Sequence, residues 1–244
     1  MFIIIFFISH WYISLFSQTF FLHRYSAHRM FTMNKAWERF FYLILYFSQG
    51  SSYLTPRAYG ILHRMHHAYS DTERDPHSPH HNKNAFLMMW KTRKIYNDIV
   101  DNNLNSDPGF KKNLPEWKLI DKIGEMGISR IAWGIIYVGF YSIFATQWWM
   151  FLLLPVHFLM SPVHGAIVNW FGHKVGYCNF KNGDQSKNTL PVDLLMLGEL
   201  FQNNHHKYAN RANFGVKKFE FDPVFPFIKI FSFFRIIKLE KTLN

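Results

Sequence analysis

The chain has 244 residues, 49% of them hydrophobic and 19% aromatic, with a formal charge of +11. That length holds one domain with a real core, and the single Cys178 excludes an intramolecular disulfide and a Cys-based zinc or iron–sulfur site. A basic balance admits nucleic acid, an anionic bilayer face or an anionic substrate. No nucleic-acid motif accompanies it, and the aromatic excess suits a membrane interface.

Residues 2–22 are almost wholly uncharged, and as a helix they would measure ~31 Å, the thickness of a bilayer core. A cleaved signal peptide is the alternative. Against it, the run is long, no basic segment precedes it, and no small-x-small site occurs before His23-Arg24. Cleavage would also strand the first histidine pair, His23-Arg-Tyr-Ser-Ala-His28. Residues 40–62 are apolar but broken by Gln49-Gly50-Ser51-Ser52 and by Pro56-Arg57, which predicts a re-entrant or interfacial helix.

From His63 to Arg130 the chain is polar, with turn signals at Asp75-Pro76, Ser78-Pro79, Asp107-Pro108-Gly109 and Leu114-Pro115. A water-facing region is expected, helical in parts such as 85–100. Residues 131–145 and 148–168, separated only by Thr146-Gln147, predict a tight helical hairpin crossing the bilayer twice. Arg24 and Arg29 follow the first span, Lys118, Lys122 and Arg130 precede the hairpin, and Lys174 follows it. By the positive-inside rule that side is cytoplasmic, and every histidine group falls on it. In residues 227–241, Lys229, Ser232, Arg235, Lys238 and Lys241 recur among Phe, Ile and Leu. They predict a basic amphipathic helix on an anionic membrane, or a packed terminal helix.

The expected fold is thus all-α: one integral membrane domain over 1–244, with three spans, an interfacial helix and a cytosolic helical cap. The cap is where the histidines gather. His63, His66 and His67 fit one helix face by i, i+3, i+4 spacing, as do Gln202, His205 and His206. Asn169 and His173 fit it at i, i+4. His23 and His28 diverge by ~140° on an ideal α-helix. They serve two different metals, or stand where the span ends and its backbone bends.

Imidazole suits iron, zinc, copper or nickel. Eight histidines and two amides exceed the needs of one ion and lack the thiolates of structural zinc sites, so two iron ions are the natural fit. Metal-bound imidazole donates its other N–H to a carboxylate or carbonyl. Asp71, Asp75 and Glu199 are placed for this, with a solvated surface charge an equal reading of Asp71. His10, His157 and His164 are lone histidines on apolar faces and read as satisfied core residues. His77, His80 and His81 stand between outer-sphere groups, head-group contacts and exposed loop residues.

The run His63-Arg-Met-His-His-Ala-Tyr-Ser-Asp-Thr-Glu-Arg-Asp-Pro-His77 resembles the second histidine box of membrane fatty acid desaturases of the Δ9, stearoyl-CoA desaturase-like class. His23-Arg-Tyr-Ser-Ala-His28-Arg29 resembles the first box, and Gly198-Glu-Leu-Phe-Gln-Asn-Asn-His-His206 the third. Asn169 and His173 match the family's Asn-x-x-x-His element, in which the Asn holds a metal-bound water. The resemblance covers roughly 16–213. It implies metal ligation by His23, His28, His63, His66, His67, His173, His205 and His206, with Asn169 and Gln202 beside them. Many members carry histidine where this chain has Gln202, which binds iron through its amide oxygen, holds a water or leaves a position open. Acyl-CoA members carry an Arg-Asp pair where this chain has Ile61-Leu62.

The same resemblance implies two iron ions, O₂ as co-substrate and a cis double bond, Δ9 by class, placed in a saturated acyl chain carried by CoA, lipid or acyl carrier protein. No dinucleotide fingerprint or fused cytochrome b5 signature is found, so electrons are expected from an external ferredoxin or cytochrome b5. A tunnel must set which carbons react, with Phe7, Trp11 and Leu15 as candidates to close it and lipid-facing packing as their alternative role. Lys91-Thr-Arg-Lys94 is a candidate for an anionic head group or a solvated face. Competing readings are a hydroxylase or ketolase on the same scaffold, a non-catalytic membrane metal-binding or transport protein, and a desaturase inactivated through Gln202. The lack of an ER-retention tail and the chain length lean towards a prokaryotic plasma membrane.

Overall fold

The computed structural model describes residues 1–240. Helix α1, Phe2–Ser17, contains no charged side chain and runs directly into a π-helical segment, Gln18–Ala27. Together they form one 26-residue apolar rod, Phe2–Ala27, long enough to cross a membrane. The rod is five residues longer than the predicted 2–22. Its widened end also changes the histidine geometry. A π-helix closes i→i+5, and the His28 N–H donates to the His23 carbonyl at 3.1 Å. Residues five apart therefore stand one above the other, and the divergence expected of an α-helix disappears.

The segment expected as one interfacial helix, 40–62, is two helices. Helix α2, Lys35–Gln49, opens on Asn34, whose side chain accepts from Trp37 N at 3.0 Å. It stops at Gly50, where φ is 51°. A Cβ at Gly50 would lie 1.9 Å from the Tyr137 hydroxyl oxygen, so both the turn and the close approach require glycine. After a short 3₁₀ turn, Gly50–Ser52, helix α3, Pro56–Tyr69, begins with Thr55 capping Ala58 and proline in the first turn.

Helix α4 spans Ala85–Val100 and is capped by Asn84. Helices α5, Lys118–Glu125, and α6, Gly127–Phe144, follow, and α6 is again long and apolar enough to cross a membrane. The predicted second limb of the hairpin, 148–168, is not one straight helix. It is a 3₁₀ turn Trp148–Leu153, a short α7 at Leu154–Phe158, and α8 at Met160–Lys174, with a 74° bend between the last two. Pro155 and Pro162 bring no N–H to this stretch. The groups freed at the bend meet the break between α2 and α3. Ser51 Oγ donates to the Phe158 carbonyl at 3.1 Å, and Ser161 N donates to Ser52 Oγ at 3.1 Å. Two interrupted helices thus satisfy each other where no water is needed.

A polar chain ties α7 to α1, α2 and α6. Ser48 O, a pure acceptor, lies 2.8 Å from His10 Nε2, which must carry the proton. His10 Nδ1 then accepts from His157 Nδ1 at 2.6 Å, and His157 Nε2 accepts from the Tyr141 hydroxyl at 2.8 Å. His10 and His157 are satisfied core histidines, as expected. His164 is not, because it is fully buried with both ring nitrogens unpartnered, edge-on to Trp11 at 4.5 Å. His157→Phe would leave His10 Nδ1 and the Tyr141 hydroxyl without partners. We expect a loss of about 1–3 kcal/mol, read as a lower thermal midpoint in detergent micelles. An unchanged midpoint would make this chain dispensable.

Helix α10, Phe225–Phe233, ends well short of the predicted 227–241. Arg235 takes a φ of 56°, and the chain turns to form strand β2, Ile237–Leu239, antiparallel to β1, Phe31–Met33. Burial of Ile237, 3% exposed, decides the change. Lys238 is therefore on a strand, and Lys241 lies outside the described residues. This two-stranded pair is the one sheet among the described residues, and the protein is otherwise helical. The main core gathers Phe20, Phe21, Tyr42, Phe201, Phe214 and Ile228, directly beneath the histidines.

Candidate metal centre

The eight histidines from four separate segments converge as two groups. His23, His28, His63, His67 and His205 form one, and His66, His173 and His206 the other, with donor atoms inside each group within 4.8 Å of one another. The π-helical segment supplies His23 and its C-cap residue is His28, α3 supplies the next three, α8 supplies His173, and α9, Gln202–Lys207, supplies the last two. The alternative in which His23 and His28 serve different metals is not what the backbone provides, since both stand in the five-histidine group.

Carboxylates fix which way the rings face. His66 Nδ1 lies 3.0 Å from Asp75, His173 Nδ1 2.9 Å from Asp71, His206 Nδ1 2.6 Å from Asp184 and His23 Nδ1 2.6 Å from Glu199. A neutral imidazole with its proton at Nδ1 bears a lone pair at Nε2. Those Nε2 atoms are turned on one another. His66 faces His206 at 3.2 Å, His23 faces His205 at 3.0 Å, His63 faces His28 at 2.8 Å, and His67 faces both His63 and His205 at 3.0 Å. His173 Nε2 is buried without a partner. At His66 and His206, where carboxylates fix the proton on Nδ1 of both rings, lone pairs held this close repel unless a cation lies between them. The rings without a carboxylate converge at a similar spacing with either nitrogen free to carry the proton. Two ligands at right angles on ~2.1 Å bonds stand ~3.0 Å apart, so the donor set fits metal ions on its own geometry.

Electrostatics agree. Burial first, and neighbouring rings second, push His28, His63 and His67 well below the ordinary histidine range, and His66 and His205 as well. They are neutral and ready to ligate at pH 7. Burial alone would raise Asp184, Glu199 and Asp71, but their paired histidines act together with Ser186 on Asp184, with Arg24 and Thr19 on Glu199, and with the Gln185 N–H and Ser78 on Asp71 to lower all three. The solvated reading of Asp71 is overturned, because its carboxylate also takes the Gln185 N–H at 2.8 Å and the Ser78 hydroxyl at 3.0 Å. Asp184 and Arg24 were missed in the sequence. Asp184 lies in a polar loop with no helical spacing to betray it. Arg24 is fully buried, with ion pairs to Glu199 at 3.2 Å and Asp222 at 2.8 Å.

The amides and remaining histidines have distinct places. Gln202 is 2% exposed and donates through its amide nitrogen to the Glu199 carbonyl at 2.7 Å. Asn169 lines the cavity beside the centre. His77 is buried against His66, ring centroids 4.3 Å apart, with both nitrogens unpartnered, and burial lowers its pKa to about 4. His80 Nε2 contacts the His173 carbonyl at 2.9 Å, and exposed His81 contacts the Asp71 carbonyl at 3.0 Å.

A cavity of about 630 Å³ opens against the centre, with His23, His63, Asn169 and Gln202 on its wall and Leu15, Leu62, Phe158 and Val168 along it. Of the three predicted tunnel residues only Leu15 lines it. Trp11 donates to the Leu195 carbonyl at 3.3 Å, and Phe7 packs on Trp11 and His157. From the basic stretch, Arg93 lines this cavity, while Lys91 and Lys94 line a separate surface pocket with Lys83.

These features define a helical protein with apolar helices long enough to cross a membrane and a polyhistidine cluster able to hold metal, set against a largely apolar cavity. The family pattern described as fatty acid desaturase matches residues 1–218, and the chain belongs to that family. Its relatives include an sn-1 stearoyl-lipid 9-desaturase of Synechocystis sp., 29% identical over 88% of this chain and 64% of that protein. A second sn-1 stearoyl-lipid 9-desaturase, from Anabaena variabilis, is 30% identical over 82% of this chain and 69% of its own length. A hex-5-enoyl-[acyl-carrier protein] acetylenase of Moorena producens is 28% identical over 87% and 68%. The chain thus spans about two thirds of the length of these relatives.

Proposed function

We propose that this protein is an O₂-dependent fatty acyl desaturase that introduces a cis double bond into a saturated acyl chain. We place the bond at Δ9, on the likeness to relatives named as 9-desaturases. The observation that carries the reading is the convergence of eight histidines, as five and three, with His23 and His63 of the larger group on the wall of a largely apolar cavity. In this reading His23, His28, His63, His67 and His205 hold one iron, and His66, His173 and His206 hold the other. Asn169 and Gln202 stand alongside as amide donors.

Bound iron supplies the O₂ chemistry that removes hydrogen from an unactivated methylene pair. The protein does the rest. Asp71, Asp75, Asp184 and Glu199 keep the proton on Nδ1 of their histidines and so hold each Nε2 as a donor. Leu15, Leu62, Phe158 and Val168 exclude water and give the chain an apolar path. Because a saturated chain has no polar handle at its middle, this path selects the carbons presented.

The acyl carrier is CoA, a lipid or acyl carrier protein, with Arg93 and Arg130 as the cations at the cavity. Electrons come from a separate ferredoxin or cytochrome b5. Basic residues flanking the apolar helices support an orientation with the histidines on the cytoplasmic side, and we place the protein in a prokaryotic plasma membrane.

Lipid profiling by gas chromatography–mass spectrometry in a desaturase-deficient host tests this. New monounsaturated chains are expected with the wild type and none with His66→Ala. Hydroxylated, keto or acetylenic products would move the activity to another reaction of the same scaffold. Unchanged lipids in the wild type, with a competent electron donor supplied, would overturn the reading.

A further inference from the structure

We propose that the two metal positions are inequivalent. The five-histidine position is coordinatively near-complete and retains its ion, whereas the three-histidine position beside Gln202 is open and releases its ion first. The inference rests on the metal-centre reading above and goes beyond it to how this chain apportions ligands.

The count of donors is unequal: five imidazoles on one side, three on the other. Gln202 does not make up the difference. Its amide nitrogen is committed to the Glu199 carbonyl at 2.7 Å, so the oxygen is the one atom it has to offer. Its side chain lies on the three-histidine side, against α8. A Cβ built on Gly172, next to His173, would fall 2.5 Å from Gln202 Cγ. An amide oxygen is a harder and weaker donor for iron than an imidazole.

A second effect opposes the first. All three histidines of the smaller group have a carboxylate on Nδ1, through Asp75, Asp71 and Asp184. In the larger group only His23 does, and its Glu199 is shared with Arg24. Such outer carboxylates strengthen metal binding by roughly 10–100-fold each. An outer carboxylate acts only through the ligand it holds, whereas each additional imidazole makes its own bond to the ion. Two additional imidazoles therefore outweigh two additional carboxylates, and the five-histidine position wins.

The test uses the full chain in detergent micelles, loaded with Fe(II) and dialysed against rising EDTA, with iron per chain measured by plasma mass spectrometry. Release in two steps is expected, with a plateau at one iron. X-ray absorption on the one-iron form is expected to count about five imidazoles. Gln202→His is expected to raise the EDTA needed for the first release. Both irons leaving in one step, a one-iron form with three imidazoles, or a release curve that Gln202→His does not move would each overturn the inference while leaving the metal centre intact. A wild type that binds no iron would overturn the metal centre itself, and this inference with it.

Discussion

Arg24→Leu is expected to cost about 3–5 kcal/mol of folding stability and to lower the metal content of whatever protein survives. Arg24 is fully buried. Its guanidinium pairs with Asp222 at 2.8 Å and Glu199 at 3.2 Å, donates to the Ala212 carbonyl at 3.2 Å, and lies 3.8 Å over the Phe214 ring. Removing it leaves two carboxylates in a dry interior, and breaking a buried pair costs about that much because a charge is left uncompensated. Against a total of roughly 5–15 kcal/mol, the loss is large.

The consequence reaches the metal centre through one intermediate. Glu199 lies 2.6 Å from His23 Nδ1, so a Glu199 that takes up a proton or swings away frees the ring. Phe214 packs at a tilt against both His23 and His205, and it loses its guanidinium cover as well. Arg24→Lys should fall between the two states, because one ammonium cannot reach Glu199, Asp222 and the Ala212 carbonyl with the fork geometry of arginine. Thermal unfolding in micelles and iron per chain measure both effects. If Arg24→Leu melts with the wild type and holds the same iron, the network is incidental to the site.

Arg24 also shows where the sequence stops being legible. The helical spacing of His63, His66 and His67 was sufficient to put them on one face of the regular helix α3, but not to show that His66 joins the other group. The first pair was not legible, because no residue pattern announces that Gln18–Ala27 winds as a π-helix. Gly50 and Pro56 were readable as interruptions of the 40–62 stretch, but the caps at Asn34 and Thr55 were not read, and the first helix begins at Lys35, five residues before the predicted 40. The bend at Leu159 depends on hydroxyls of Ser51 and Ser52, more than a hundred positions away, and local reading does not reach that far. Asp75 was nominated from its place after the second histidine group. Asp184 and Asp222 act on His206 and Arg24 across loops without periodicity. The tunnel residues failed for a related reason. Helical spacing put Phe7, Trp11 and Leu15 on one face, but neighbouring α7 and the loop at Leu195 cover the first two.

Stripped of metal, the protein should lose stability steeply as pH falls below about 6.5. His28, His63, His66, His67, His205 and His206 all lie below the ordinary histidine range in the folded state, chiefly through burial, and His77 is lowered to about 4. Unfolded, each returns to about 6.5. Below that pH the unfolded chain binds more protons than the folded one, so acid favours unfolding until the folded pKa is reached. Each ring contributes a slope of about 1.4 kcal/mol per pH unit. Three rings acting over one unit already cost ~4 kcal/mol, a large part of a typical total.

The carboxylates act in another window. Asp71, Asp184 and Glu199 are lowered by their partners, so their contribution is present above about pH 4 and is lost only as pH falls through their folded values. They do not drive the loss between pH 6.5 and 5. Iron changes the balance because it binds only the neutral ring, which stabilises the folded state against the same protons. Thermal midpoints of iron-free and iron-loaded protein between pH 8 and 5 should therefore separate as pH falls, the iron-free one dropping first. An iron-free midpoint that stays level to pH 5 would mean that water reaches the rings and protonates them in place. The close approach of their lone pairs would then be no measure of a site waiting for a cation.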